Sequence, residues 1–167
     1  VGSRPSLTRS CLPDRAAALR VSGWQYTSTG LLLHGDAQLG KTRSAWLLLG
    51  RFNELGDKSL MVFGSGQQWI DRCLRRLENK TCYPWLELQC RCGVWFVDDV
   101  DKANWTGSNR ATAEFFTVLK VRMEQGLPCV FTTNLTGHAL AERFGDQYGP
   151  AIVERIREGC APIGFSK

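Results

Sequence analysis

Short apolar runs alternate with longer segments of helical periodicity along the 167-residue chain. The apolar runs predict five strands, over residues 30–34, 59–63, 94–97, 129–132 and 162–165. Apolar side chains at helical spacing predict helices between them, over residues 15–21, 42–55, a stretch after Ser65, 81–91, 110–125, 137–144 and 151–158. This alternation predicts an α/β fold in which helices flank a five-stranded, mostly parallel sheet.

The third strand indicates where such a sheet would place a binding site. Residues 94–97 are all apolar, as in strands that helices cover on both faces. In open sheets of this kind, ligands bind beyond the carboxyl ends of the strands. Polar segments follow three of the predicted strands, at residues 35–42, 98–99 and 133–134, so we expect them to share one site.

Length and composition indicate one core preceded by a short arm. A chain of this length with 43% hydrophobic residues can bury one substantial core and is short for two. Glycine, serine and proline over residues 1–13 predict a loose arm, and Asp14 can cap the first short helix. We therefore predict an arm and short helix over residues 1–28 and a single α/β core over residues 29–167.

Charge and cysteine usage narrow the function classes. The net charge of +5 permits contact with nucleic acid without requiring it. Seven cysteines, an odd number, accompany only two histidines, and Cys90 and Cys92 are too close in sequence for the usual zinc pair. The sequence therefore favours free thiols in a reducing cytoplasm. No apolar run approaches the roughly eighteen residues of a membrane span.

The segment Gly35–Thr42, GDAQLGKT, fits the phosphate-binding pattern G-x-x-x-x-G-K-[ST] between a predicted strand and a predicted helix. Its glycines allow a tight turn whose N–H groups point at phosphate oxygens, and the helix adds its positive end. The expected nucleotide-binding residues are Gly35, Asp36, Ala37, Gln38, Leu39, Gly40, Lys41, Thr42 and Arg43. Lys41 would reach the terminal phosphates and Thr42 would ligate magnesium. A strand–helix turn with a capping lysine is the alternative.

Two carboxylates, Asp98 and Asp99, follow the apolar third strand. We expect Asp98 to hold magnesium together with Thr42, and Asp99 to orient or deprotonate the attacking water. Acid pairs after strands also occur as helix caps. Their position one strand beyond a phosphate loop favours the catalytic interpretation.

Asn134 follows the fourth predicted strand, after two threonines. An uncharged amide there can bind the terminal phosphate or position water between that phosphate and Asp99. The alternative is an asparagine that forms an ordinary turn.

Arg155 lies in the last predicted helix, in the segment ERIRE. A guanidinium can stabilise charge on a terminal phosphate, within one chain or across a subunit boundary. Arginine and glutamate at this spacing also form ordinary salt bridges on a helix surface, and spacing alone favours that reading.

The order of these motifs resembles the core of AAA+ ATPases of the P-loop NTPase class. More specifically, the motif order resembles the bacterial and phage helicase loaders of the DnaC/DnaI type, with the IstB transposition helpers as relatives. It covers residues 29–165 and is most specific at two segments, LPCVFTTNL over residues 127–135 and AIVERI over residues 151–156. The resemblance implies that residues 29–167 form an AAA+ ATPase core.

The resemblance also implies residue roles. Lys41 and Thr42 would act at the phosphates and magnesium, Asp98 and Asp99 as the Walker B acids, and Asn134 as the first sensor. Arg155 would be an arginine finger that acts on ATP held by a neighbouring subunit, which implies an ATP-dependent homo-oligomer or spiral.

The sequence departs from the family pattern at several places. Gln38 and Leu39 stand where loaders often carry glycine, and Asp99 stands where many AAA+ proteins have glutamate. No helical lid domain is expected after residue 165. The helicase-binding N-terminal domain of typical loaders is not recognised either.

In this branch, the segment between the second and third strands contributes to single-stranded DNA binding. Arg72, Arg75 and Arg76 lie on the polar side of the predicted helix there, and Lys80 follows. Such cations would bind the DNA backbone without sequence preference. Asp71 and Glu78 lie at helical spacing from Arg75, so a salt-bridged solvent face is the alternative.

The leading hypothesis is an Mg²⁺-dependent ATPase of the helicase-loader type, which acts in DNA replication on single-stranded DNA and a replicative helicase. One alternative is an IstB-like transposition helper. Another is a binding module that ATP orders, with negligible hydrolysis. A small-molecule kinase would need an arginine-rich lid insert, which the sequence does not contain.

Overall fold

A computed structural model describes residues 14–55 and 59–167, so the arm predicted over residues 1–13 lies outside the described residues. Its five strands are β1 (Gly30–Gly35), β2 (Leu60–Phe63), β3 (Val94–Val97), β4 (Cys129–Thr133) and β5 (Cys160–Phe165). They form one sheet in the order β2-β3-β4-β1-β5, and all four pairings are parallel. The predicted α/β class and five-stranded sheet are confirmed.

The described residues form seven α-helices, of which the first precedes β1: α1 (Arg15–Ser22), α2 (Lys41–Leu55), α3 (Gly66–Glu78), α4 (Cys82–Arg91), α5 (Asn109–Glu124), α6 (Gly137–Phe144) and α7 (Gly149–Gly159). The predicted cap Asp14 accepts the N–H of Ala17, and Ser65 caps α3 by accepting the N–H of Gln68. Two short 3₁₀ turns, Val100–Lys102 and Trp105–Gly107, occupy the polar connection after β3.

The helices cover the two faces of the sheet unequally. Alternate residues of β3 divide between two hydrophobic clusters, Val94 and Phe96 in one and Trp95 and Val97 in the other. The first cluster contains residues of α1 and α2, and the second contains residues of α3 to α7. Because both faces are covered, β3 can be apolar throughout, as its sequence predicts.

Aromatic side chains fill the core under α3 to α7. The ring of Phe115 lies 4.7 Å from that of Trp105, 5.0 Å from that of Trp95 and 5.2 Å from that of Trp69, between centroids. Gln89 is fully buried, and its Oε1 accepts hydrogen bonds from the indole N–H groups of Trp69 (2.6 Å) and Trp95 (3.1 Å). These bonds satisfy the buried indole donors and lock α4 onto α3 and β3.

The segment before β1 packs against the core. Asp14 accepts the N–H of Ser166 at 2.8 Å, which ties the start of α1 to the chain beyond β5. Arg51 of α2 donates to the carbonyls of Ser22 (2.5 Å) and Trp24 (2.8 Å). In residues 14–55 and 59–167, no helix has the length and apolar character needed to cross a membrane.

The strand order determines where a site can form. β3, β4 and β1 are adjacent in the sheet. Because all three are parallel, the segments that follow them emerge side by side at one edge. The phosphate loop, the aspartate pair and Asn134 therefore meet, as the sequence predicts.

Candidate nucleotide site

A cleft of about 530 Å³ opens at the carboxyl edge of β1, β3 and β4. Its volume lies within the range of roughly 300–1,000 Å³ typical of small-ligand sites. Nine residues from three connections line it: Ala37, Gln38, Gly40, Lys41, Thr42, Arg43, Asp99, Lys102 and Asn134.

The phosphate loop has a backbone that favours glycine at three positions. Gly35, Gln38 and Gly40 have φ angles of 132°, 64° and 96°. At Gly35 a side chain is also excluded by space, since a Cβ would lie 2.2 Å from the carbonyl oxygen of Phe165. Gln38 therefore adopts the left-handed region without being glycine, whereas Leu39 buries its side chain in the core beside α2.

Lys41 is a buried cation at the start of α2. Its Nζ donates to the carbonyl oxygens of Gly35 (2.7 Å) and Asp36 (2.5 Å), at the start of the same loop. Burial lowers the pKa of the Lys41 ammonium, and the Asp99 carboxylate opposes that shift. A charged donor that is hydrogen-bonded to neutral carbonyls can exchange those bonds for hydrogen bonds to phosphate oxygens, which are stronger acceptors.

Asp98 is buried and fixed by two hydroxyl groups. Thr42 Oγ1 lies 2.9 Å from Oδ1 and 3.1 Å from Oδ2 of the carboxylate. Thr132 Oγ1 also donates to Oδ1. Burial raises the pKa of Asp98, while both hydroxyl donors favour its charged form.

This oxygen set fits magnesium. A hydroxyl and a carboxylate side by side are hard oxygen ligands, and magnesium usually keeps the rest of its ligands as phosphate and water. No cluster of three or more histidine, cysteine, aspartate or glutamate side chains suited to a metal occurs in the described part of the chain. The Thr42 hydroxyl and the Asp98 carboxylate would supply two oxygen ligands, which fits an ion whose other ligands are phosphate and water.

Asp99 turns away from the sheet into the cleft. Its backbone is left-handed (φ 47°, ψ 51°), and its N–H donates to Thr132 Oγ1 at 2.8 Å. Asp99 thus lines the cleft, whereas Asp98 is not among the lining residues, and both contact Thr132. The Asp99 carboxylate forms an ion pair with Lys102, 3.3 Å from its Nζ.

Asn134 lines the same cleft from the turn after β4. The turn is fixed by the neighbouring Thr133, whose Oγ1 donates to the carbonyl of Leu135 (2.7 Å) and accepts its N–H (3.0 Å). The structure thus brings Asn134 together with Lys41, Thr42 and Asp99.

Arg155 lies elsewhere. It belongs to α7, which packs on the face of the sheet opposite α2, and it is not among the residues that line the cleft. Its side chain is 41% exposed, with Nη1 3.5 Å from Glu158 Oε2. Arg155 is therefore available at the surface and is not brought to the phosphate loop of its own chain.

The predicted DNA-contact residues form an exposed basic strip on α3 and the turn after it. Arg72 lies over the ring of Phe63, with 5.4 Å from its Cζ to the ring centroid. Arg75, Arg76 and Lys80 are exposed, and Lys80 has a left-handed φ of 58°. Among the described residues, no ion pair involves the three arginines.

Sequence reasoning missed two residues of the site. Thr132 precedes Asn134 by two positions and was treated only as strand. Lys102 is not among the predicted site residues, although its spacing from Asp99 is that of a helical ion pair. The signal for Thr132 is the pairing of β3 with β4. The signal for Lys102 is its spacing from Asp99 together with the position of Asp99 at the edge of the sheet.

No family model matches the chain, and no curated protein matches it. Solved structures do. A structure of DnaI is 22% identical (TM-score 0.73), with 97% of this chain and 89% of that chain covered. A DnaC helicase loader is 18% identical (TM-score 0.70), with 90% and 86% covered. A replication initiator DnaA bound to AMPPCP and single-stranded DNA is 14% identical (TM-score 0.76), with 98% and 51% covered.

The chain spans about half the length of the first three solved structures that it matches. Because the sequence identities are below 25%, the likeness is one of fold. It extends over 90% or more of this chain in all three structures. The sheet order and the phosphate loop after β1 agree with it. The chain therefore has a DnaC/DnaI-like AAA+ fold.

Proposed function

We propose that this protein binds and hydrolyses ATP as an AAA+ protein of the helicase-loader type, acting in DNA replication on single-stranded DNA. One observation carries the ATP part. Lys41, Thr42, Asp99 and Asn134 line a single cleft, and Asp98 is bonded to Thr42 beneath it.

Each residue has a role that follows from its contacts. Lys41 exchanges its loop carbonyls for phosphate oxygens. Thr42 and Asp98 hold magnesium, which when bound neutralises charge on the phosphates. Asp99, which lines the cleft beyond the end of β3, orients the attacking water and accepts its proton. Asn134 donates its amide to the terminal phosphate or that water.

The replication part rests on the structural neighbours. DnaI, a DnaC helicase loader and a DnaA initiator share this fold, and the DnaA structure holds AMPPCP and single-stranded DNA. The basic strip Arg72, Arg75, Arg76 and Lys80 supports contact with a DNA backbone, because its arginines are exposed and outside ion pairs in the described residues.

Self-assembly is proposed from Arg155. The guanidinium is exposed on α7 and does not line its own cleft. An arginine that completes a neighbour's site would have this placement. A replicative helicase is the further partner that the loader assignment implies, and the six described cysteines, all free thiols, support a reducing compartment such as the cytoplasm.

Two alternatives use the same cleft. An IstB-like transposition helper would share the ATP chemistry and differ in its partner. A nucleotide-gated module would bind ATP without turnover. The Asp99–Lys102 ion pair is the observation that favours it, since a carboxylate occupied by Lys102 is not free to accept a hydrogen bond from water.

The test is steady-state ATP hydrolysis with Mg²⁺, with and without single-stranded DNA. We expect turnover that DNA stimulates and that Asp99→Ala abolishes. Asp146→Ala, at an exposed position between α6 and α7, is the matched control and keeps full activity. Tight ATP binding with no turnover under either condition would establish the module instead.

DNA binding is tested separately by fluorescence anisotropy with a labelled oligonucleotide. Replacing Arg72, Arg75 and Arg76 together by alanine should weaken binding and flatten its salt dependence. A triple replacement of the exposed Arg15, Arg20 and Arg143 removes the same charge from other surfaces. Equal losses of DNA affinity in both triple variants would show that binding depends on net charge alone and not on the basic strip.

A further inference from the structure

We propose that Lys102 binds the terminal phosphate of the nucleotide and leaves Asp99 when a triphosphate enters the cleft. The inference rests on the proposed ATP site and assigns it a second phosphate-binding cation besides Lys41. Two observations carry it: Lys102 lines the cleft, and its Nζ lies 3.3 Å from Asp99 Oδ1.

The backbone of Lys102 is anchored while its side chain is not. It ends the 3₁₀ turn Val100–Lys102, and its N–H donates to the carbonyl of Asp99 at 3.1 Å. The two preceding residues, Val100 and Asp101, are buried, at 0% and 5% exposure. The Lys102 side chain is 53% exposed. A long flexible stem on a fixed base can change partners without moving the turn.

The position of Lys102 beyond the carboxyl end of β3 identifies the phosphate that it can reach. The phosphate loop follows β1, Asn134 follows the adjacent β4, and Asp99 and Lys102 follow β3, the next strand. The bond that breaks joins the terminal phosphate to the rest of the nucleotide, so the water that Asp99 orients lies next to that phosphate. A cation already paired with Asp99 is therefore within side-chain reach of the terminal phosphate.

Electrostatics favour an exchange of partners. The Asp99–Lys102 pair is partly exposed, with side-chain exposures of 29% and 53%, and such pairs are weak. A terminal phosphate offers Lys102 more negative charge and more acceptor oxygens than one carboxylate does. Once Lys102 moves, the Asp99 carboxylate is free to accept a hydrogen bond from water. The same exchange cannot occur with a diphosphate, which lacks the terminal group.

This arrangement makes the site sensitive to the terminal phosphate. With ADP or with no nucleotide, Lys102 stays on Asp99 and keeps the base occupied. With ATP, Lys102 contributes to binding and releases the base. Lys102 therefore touches substrate and belongs to the catalytic residues, whereas a purely structural lysine would affect ATP and ADP alike.

The experiment measures dissociation constants of Mg·ATP and ADP by calorimetry for wild type, Lys102→Met and Lys102→Arg. We expect Lys102→Met to weaken ATP binding by about tenfold and to leave ADP binding within about twofold. Lys102→Arg should retain preference for ATP. The matched control is Lys120→Met, because Lys120 lies over the Phe116 ring on α5 and does not line the cleft.

The outcomes separate this inference from the proposed function. If wild type binds ATP and Lys102→Met keeps the same ATP-to-ADP preference, Lys102 does not bind the terminal phosphate and the ATP site still stands. If Lys102→Met weakens the binding of ATP and ADP by the same factor, Lys102 has only a structural role and the inference is wrong. If wild type binds neither nucleotide, the proposed function fails and this inference fails with it.

Discussion

The Thr42 hydroxyl and the Asp98 carboxylate are in direct contact, with Oγ1 2.9 Å from Oδ1 and 3.1 Å from Oδ2, although the two residues are 56 positions apart in the chain. Thr42 is the second residue of α2, after the phosphate loop, and Asp98 directly follows β3. Their contact crosses β4, which lies between β1 and β3 in the sheet. The site is therefore organised by residues of β4 as well as by the two motifs.

Thr132 of β4 is the residue that links the two acids, since its hydroxyl donates to Asp98 and accepts the Asp99 N–H. We expect Thr132→Val to lower the free energy of unfolding by about 1–3 kcal/mol, because it removes the acceptor of the Asp99 N–H and one of the two hydroxyl donors to the buried Asp98 carboxylate. ATP turnover should fall as well, and Thr132→Ser should retain both properties. Urea denaturation and steady-state kinetics measure them.

The control for this prediction is Thr117→Val. Thr117 is exposed on α5, where its hydroxyl donates only to the carbonyl of Ala113. A Thr132→Val protein with the stability and turnover of Thr117→Val would show that Thr132 does not orient the acids.

His34 should report on the phosphate loop through its pKa. Burial lowers the pKa of this imidazole from 6.5, and the nearby Lys41 ammonium lowers it further. Unfolded His34 takes up its proton near pH 6.5, so acidification through 6.5 should reduce the free energy of unfolding. At pH well above 6.5 both states are neutral, and this destabilisation is absent. Phosphate anions should offset the charge of Lys41 and raise the pKa again.

The measurement is an NMR titration of the imidazole protons, with and without ATP. The sequence contains only two histidines, so His138→Asn assigns both resonances. A His34 resonance that titrates at or above 6.5 without nucleotide would contradict the burial and charge argument. A titration that ATP leaves unchanged would contradict phosphate binding beside Lys41.

Arg155 and Lys41 should complement each other between subunits. Mixing Arg155→Ala protein with Lys41→Ala protein should recover part of the ATPase activity that each lacks, because one supplies an intact cleft and the other an intact arginine. The control mixture uses Arg157→Ala, whose guanidinium pairs with Glu154 at 2.7 Å. Full hydrolysis by monomeric protein, unaffected by Arg155→Ala, would show that Arg155 does not act as a finger.

Arg122 should be essential for stability, although it is remote from the cleft. It is fully buried on α5, and its guanidinium donates to the carbonyls of Gln89 (2.7 Å), Cys92 (2.7 Å) and Pro128 (2.8 Å). These bonds hold the start of β3 and of β4 together. Arg122→Met removes every donor and should lower the free energy of unfolding by about 3 kcal/mol or more.

The matched control for Arg122 is Arg91→Met, since Arg91 is exposed and pairs only with Glu87 in the described structure. Denaturation by guanidinium chloride compares the two variants. A loss of stability in Arg122→Met as small as the loss in Arg91→Met would show that the buried carbonyls find other donors.

The sequence predicted the cleft because its parts are local and their meeting follows from a general property of parallel sheets. The phosphate loop, the acid pair and Asn134 each follow an apolar strand, and parallel strands end at one edge. Thr132 required the register. β3 and β4 pair Val97 with Phe131, so the next residues, Asp98 and Thr132, lie side by side. Register depends on tertiary pairing and cannot be read from one strand.

Element boundaries show the same limit. The sequence predicts a last helix that ends at residue 158 and a last strand that begins at Pro162. The observed β5 begins at Cys160, because Cys160 and Ala161 pair with the first residues of β1. The 3₁₀ turn that carries Lys102 is not predicted from the sequence, since a single turn carries too few residues to produce a periodic pattern.

The central claim is that the cleft at the carboxyl edge binds ATP through Lys41. The most direct measurement is equilibrium binding of Mg·ATP to wild type and to Lys41→Ala, with folding of both verified by thermal denaturation. We predict one ATP bound per wild-type chain and binding at least about tenfold weaker in Lys41→Ala. No binding by wild type, or equal affinity in the two folded proteins, would contradict it.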